Sequence, residues 1–255
     1  DVYKREAEYE AVLENLYAIA DCEEWRESIL SQVKKQEQKH GFEVELEDRL
    51  LTEVTNLVEW PTVLLGDFEK DFLELPSEVL VTSMAVHQRY FPVFQKNEDN
   101  KTGEKKLLPH FVTVRNGDER ALDTVRRGNA TVLRARLSDA RFFYLDDQKK
   151  ALSDFQTKAD NVVFFQQRGS QAQRVQRIAE LSVYIAHALN LSKAQKKQVQ
   201  RIAELSKFDL GTRMVAEFPE LQGVMGQKYA KLKNEPAVVC SGIRDHSYPC
   251  IANVG

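Results

Sequence analysis

The sequence predicts an α+β protein: a small β-rich module with flanking helices, followed by an all-helical domain. Three observations carry this. Apolar residues recur at helical spacing through residues 3–39 and again from about 121 onward. Between these stretches lie four short runs rich in β-branched and aromatic residues, bounded by glycine, proline or polar tracts. The charge is also segregated. The net charge of −3 over 255 residues divides into −13 over residues 1–80, +10 over 81–213 and zero beyond.

The leading helical stretch shows Tyr9, Val12, Leu13 and Leu16, then Trp25, Ile29, Leu30 and Val33, at spacings that share one helix face. Asp21 is placed to cap the second of its helices, with Glu24 completing a capping box, and His40-Gly41 ends it. A further amphipathic helix is expected over Leu46–Val58, stopped by Pro61. The strands are expected at Thr62–Leu65, Val79–Met84, Tyr90–Phe94 and His110–Val114. The tract NEDNKTGEKK is expected to form a hairpin or surface loop between the last two.

From Ala121 the helical candidates are Leu122–Val132, Ala135–Phe143, Leu152–Val163, Arg174–Leu189, Ala194–Lys207 and Thr212–Phe218. The domain break is expected between Asp146 and Asp154, giving 1–150 and 151–255. The octapeptide VQRIAELS occurs twice, at 175–182 and 199–206. Two copies without a third argue for two similar amphipathic helices rather than a solenoid.

A composition with 42% hydrophobic and 29% charged residues supports a packed core and excludes wholesale disorder. No apolar stretch approaches the ~18 residues that span a bilayer, and no signal-peptide pattern opens the chain, so a cytoplasmic protein is expected. The chain opens on Asp1, and the whole reads as an internal part of something longer. Three cysteines, Cys22, Cys240 and Cys250, suit a reducing compartment; Cys240, His246 and Cys250 match no common zinc spacing.

The run RRGNATVLRARLSDARFF (126–143) sets five arginines, Arg126, Arg127, Arg134, Arg136 and Arg141, among small and apolar residues. A guanidinium makes paired hydrogen bonds to phosphate oxygens, and a basic middle within an acidic chain is the footprint of a polyanion-binding surface. Arg126, Arg127, Arg134 and Arg136 are therefore the first candidates for RNA phosphates, giving affinity rather than base specificity. In EFPELQGVMGQKYA (217–230), Gly223 and Gly226 mark tight backbone approach or positive φ. No GxxxxGK[ST] loop and no nucleophile–base set is present.

Several collinear pieces resemble the beta subunit of bacterial glycyl-tRNA synthetase. They are NLVEWPTVLLGDF (56–68), PSEVLVTSMAVHQRYFPV (76–93), KLLPHFVTVRNGD (106–118), GNATVLRARLSDARFF (128–143), VVFFQQRGS (162–170), LSKFDLGTRMVAEFPELQGVMGQKYA (205–230) and IRDHSYP (243–249). The chain departs from the family pattern in KNEPAVVCSGIRDHSYPC, where Asp245 replaces a glutamate and Ser247 precedes the tyrosine.

The resemblance implies a B3/4-like β-containing module followed by an HD-like helical domain. It implies an α2β2 ligase in which the alpha subunit holds the aminoacylation site, with ATP and Mg²⁺ there and no cofactor on this stretch. The partners implied are tRNA(Gly) and the alpha subunit. Its tRNA-binding candidates are Arg115, Arg126, Arg127, Asn129, Arg134, Arg136, Lys207 and Arg213. Asp209, Gly223 and Gly226 are expected to be structural, and no catalytic or metal-ligating residue is expected. Where an HD motif would pair histidine with aspartate, the chain reads Phe208-Asp209, so a hydrolytic centre looks degenerate. Two other readings are a metal-dependent phosphohydrolase built on the helical half, and an assembly module that contacts alpha through the acidic N-terminal helices.

Overall fold

The computed structural model describes residues 9–96, 105–165, 169–246 and 248. The chain forms two units, residues 1–139 and 140–255. In the first, a short helix α1 (Tyr9–Glu14) precedes α2 (Cys22–His40). Asp21 caps α2 by accepting the Glu23 N–H at 2.9 Å, and Gly41 ends it at φ +71°, a conformation that favours glycine. Then come β1 (Phe42–Val44), α3 (Asp48–Thr55), β2 (Pro61–Asp67), α4 (Ser77–Thr82), β3 (Phe91–Gln95) and β4 (Leu107–Asn116). The four strands form one antiparallel sheet in the order β1-β3-β4-β2, leaving β1 and β2 at its edges. Ile29 and Val33 of α2 and Leu50, Leu51 and Val54 of α3 pack with Val63, Phe91, Val93 and Val112 in one apolar core.

The run Val79–Met84 is not a strand. It lies in α4 and in the π-helical turn Ser83–Gln88 that continues it. Val79, Leu80 and Met84 are all fully buried, Thr82 and Ser83 are buried between them, and a run buried at nearly every position has no period that separates strand from helix. Pro76 at the N-cap and the Ser77-Glu78 first turn favour helix. The tract at 97–104 and the residues before Tyr9 lie outside the described residues.

Helix α5 (Leu122–Gln148) merges the two helices expected around residue 133. The division between units falls inside it, so 122–139 belong to the first unit and 140–148 to the second. The second unit continues with α6 (Leu152–Asp160), β5 (Val163–Phe165), β6 (Gly169–Ser170), α7 (Gln171–Ala188), α8 (Lys193–Leu205), α9 (Arg213–Glu217), α10 (Val224–Leu232) and α11 (Ala237–Asp245). It is therefore not all-helical. β5 and β6 pair as a two-stranded ribbon in a β-branched, aromatic segment where the apolar spacing predicts the end of a helix. Ser170 and Ser192 cap α7 and α8 through capping boxes with Gln173 and Gln195. Among the described residues, no helix is long and apolar enough to cross a membrane.

Candidate nucleic-acid interface

The basic run lies on α5. Leu133, Leu137 and Ala140, at i, i+4 and i+7, are fully buried and set the inward face. Arg127 and Arg134, seven residues apart, are exposed on a flank of the helix, roughly 100° around the axis from that face. The Arg127 Nε donates to the Asp123 carbonyl at 3.3 Å, and Arg134 pairs with Glu69, a surface contact that solvent screens. Arg136 is half-buried.

Arg126 faces the sheet. Its Nε donates to the Leu65 carbonyl at 2.8 Å, and its Nη1 reaches Asp123 Oδ1 at 2.6 Å. Leu65 belongs to the edge strand β2, so Arg126 satisfies a backbone acceptor that no neighbouring strand can reach. Gln32 does the same two residues earlier: its Nε2 donates to Pro61 O at 2.8 Å and its Oε1 accepts the Val63 N–H at 2.9 Å. Arg115 is half-buried, its Nη1 donating to the Arg120 carbonyl. With Asn129 it lines a small cleft of about 290 Å³. Arg89 lines the same cleft, holding a left-handed φ of 58° and pairing with Glu53 at 2.5 Å.

The other two candidates, Lys207 and Arg213, lie in the second unit. Arg213 is about half exposed, pairs with Asp146 at 3.3 Å and lies over the Phe142 ring. Lys207 is half-buried; burial first, and the Arg174 charge second, hold its ammonium below the usual lysine range. Burial and then Lys207 likewise lower His246.

Beneath this surface sit two buried carboxylates. Asp147 accepts the Arg213 and Met214 N–H groups at 3.1 and 3.0 Å and the Tyr229 hydroxyl at 3.2 Å, tying the end of α5 to α9 and α10. Burial, reinforced by Asp147, raises the Tyr229 hydroxyl pKa. Asp147 gives no signal in the sequence, since an Asp-Asp pair near a helix end resembles a solvated surface. Asp209 is fully buried, and its Oδ2 accepts the Gly223 N–H at 2.6 Å. Burial pushes its carboxyl up to about 6, against the pull of the Gly223 amide. Gly223 sits at φ +81°, and a Cβ on Gly226 would fall 2.9 Å from Asp209 Oδ2 and 2.8 Å from Ile243. The segment 223–226 thus folds its backbone directly against the carboxylate.

Among the described residues, no three His, Cys, Asp or Glu side chains gather as a metal-binding set. Cys240 donates to the Glu235 carbonyl at 3.4 Å, His246 Nδ1 lies 2.6 Å from Ile243 O, and Cys250 is outside the described residues.

Comparison with known proteins gives a consistent result. Residues 2–254 match the family model described as glycyl-tRNA synthetase beta subunit. A glycine–tRNA ligase beta subunit of Listeria welshimeri is 45% identical over 249 residues, 98% of this chain. Those of Shouchella clausii and Bacillus subtilis are 48% and 46% identical over 242 and 241 residues, 95% and 94% of this chain. The matched regions are 34–35% of these relatives, so the chain spans about a third of their length.

Proposed function

The chain belongs to the glycyl-tRNA synthetase beta-subunit family, and from that premise we propose that it binds and positions tRNA(Gly) without itself making bonds. In this reading glycine is joined to the tRNA at the alpha subunit with ATP, and the present chain contributes proximity and orientation. The observation that carries the proposal is the exposed pair Arg127 and Arg134 on α5, within a stretch of net charge +10. A phosphate can replace the carboxylate that Arg134 now meets, because a solvated surface pair contributes little and a guanidinium binds phosphate through paired hydrogen bonds. Arg126 has a different role, holding the β2 edge.

We read residues 151–255 as the family's HD-like helical domain, with Asp209 structural. Its carboxylate is buried and accepts a backbone amide, an arrangement suited to packing rather than to holding a water-activating metal. Metal content of the purified protein and turnover of a phosphodiester test the hydrolytic alternative directly.

The experiment for the main reading is tRNA titration of the intact protein at two salt concentrations, with Arg127→Gln/Arg134→Gln beside it. Loss of two phosphate contacts lowers the slope of log affinity against log salt by about 1.8, at ~0.9 per contact. Unchanged affinity and slope would remove these arginines from the interface.

A further inference from the structure

A second feature of the first unit is unexplained by the arginine helix. A cleft of about 1250 Å³ runs between the polar face of α2 and the β2 edge. We infer that it receives single-stranded nucleotides of an RNA, its aromatic end stacking a base and its helical wall contacting phosphates. The inference rests on the RNA-binding reading above but places a separate contact in the acidic third of the chain.

The aromatic end is Tyr17 and Trp60, which meet edge-to-face with ring centroids 5.4 Å apart. The platform is built in advance. Asn116 Oδ1 accepts the Glu59 and Trp60 N–H groups at 3.1 and 3.0 Å, and the Gly117 N–H donates to Trp60 O at 2.9 Å. The turn bearing Tyr17 is fixed where Ile19 N–H donates to Glu59 O at 2.9 Å and Trp25 Nε1 donates to Ile19 O at 3.0 Å. Half of the Tyr17 surface nevertheless remains exposed.

The helical wall presents Lys35 and Lys39, one turn apart on α2 and both exposed. Among the described residues neither has an ion-pair or hydrogen-bond partner, although residues 1–80 carry a net charge of −13. Three carboxylates also line the cleft. Asp118 is paired with Arg120 and Asp67 bonds His110 at 2.6 Å, leaving Glu119 as the remaining acid.

The cleft floor discriminates between occupants. An edge strand ordinarily invites an extended peptide to add to the sheet. Here Gln32 and Arg126 already occupy Pro61 O, Val63 N–H and Leu65 O. Strand addition is therefore obstructed, and what remains on offer is ring faces and ammonium groups that are unpaired among the described residues. That combination binds single-stranded nucleic acid, because every base has a π-face and every nucleotide a phosphate.

The test is fluorescence anisotropy of a short, mixed-sequence single-stranded RNA on the intact protein at two salt concentrations. Lys35→Gln/Lys39→Gln is expected to weaken binding about tenfold and to flatten the salt slope by about 1.4, at ~0.7 per phosphate on single strands. Trp60→Leu is expected to weaken binding at least about fivefold, whereas Trp60→Phe, which preserves a ring face and guards against misfolding, retains most of it. Single-strand binding that survives both Lys35→Gln/Lys39→Gln and Trp60→Leu overturns the inference. If Arg127→Gln/Arg134→Gln still weakens tRNA binding in that case, the RNA reading stands and only the cleft assignment falls. Absence of any RNA binding by the unmodified protein at low salt removes both. Loss of a protein partner, with RNA binding intact, would assign the cleft to that protein instead.

Discussion

The octapeptide VQRIAELS appears twice in the second unit, once in α7 and once in α8, and the two copies are treated differently. In α8, Leu205 is fully buried and Ala203 and Ser206 nearly so. In α7, the equivalent Leu181 is 59% exposed. The contrast extends beyond the repeat at the same offset of 24 residues. Phe208 is 1% exposed where Tyr184 is 72% exposed, and Asp209 is buried where Ile185 is nearly half exposed. Seven of the eight identical residues are thus helical in both copies, but only one copy enters the core. Around α8, Glu235 takes Arg201, Gln156 Nε2 donates to Glu204 O at 3.1 Å, and Gly242 of α11 lets Ile202 approach closer than a Cβ would allow. Helicity is local; burial belongs to the neighbours.

Three substitutions sharpen or break this contrast. Leu205→Ala leaves a cavity in a filled site and should destabilise the protein by ~2–5 kcal/mol in denaturant unfolding. A loss below ~1 kcal/mol would mean that the second copy is not packed as described.

Asp209→Asn tests the buried end of the same segment. The folded pKa of Asp209, about 6, lies above the ordinary carboxylate value of 3.8. The native state therefore holds a proton that the unfolded chain has released. The contribution of Asp209 is fully present below pH ~4 and is lost as pH rises through about 6. The drop corresponds to roughly 3 kcal/mol, because each tenfold difference in proton affinity between the folded and unfolded chain is worth ~1.4 kcal/mol. Asparagine keeps an acceptor for the Gly223 amide and lacks this titration. The wild-type and variant stability curves should therefore diverge between about pH 4 and 6 and run parallel above about pH 7. Parallel curves throughout would show that Asp209 is solvated.

The smallest effect belongs to the first copy. Leu181→Ala should change stability by no more than ~0.5 kcal/mol, since an exposed side chain loses little contact. A loss matching that of Leu205→Ala would erase the distinction between the copies.

Much of the architecture was legible in local chemistry. Asp21 and Gly41 bound α2, and the runs at 62–65, 90–94 and 110–114 lie within or overlap strands. The failures have separate causes. Val79–Met84 is buried at every position but Val81 and so has no diagnostic period, and the β5–β6 ribbon is too short to compete with the helical pattern around it. The candidate site was legible as a composition, five arginines in one run, but not as an arrangement.

The sequence alone therefore determined the family, the α+β class, the residues that bound α2 and the basic character of the middle region, because these depend on residues close together in the chain. Only the tertiary structure decided which arginine faces water and which holds a strand edge, which copy of VQRIAELS is core, and that Tyr17, Trp60 and two lysines of α2 border one cleft. Those outcomes depend on contacts between residues tens of positions apart, such as Arg126 with Leu65 or Gln32 with Val63, and no local pattern encodes them.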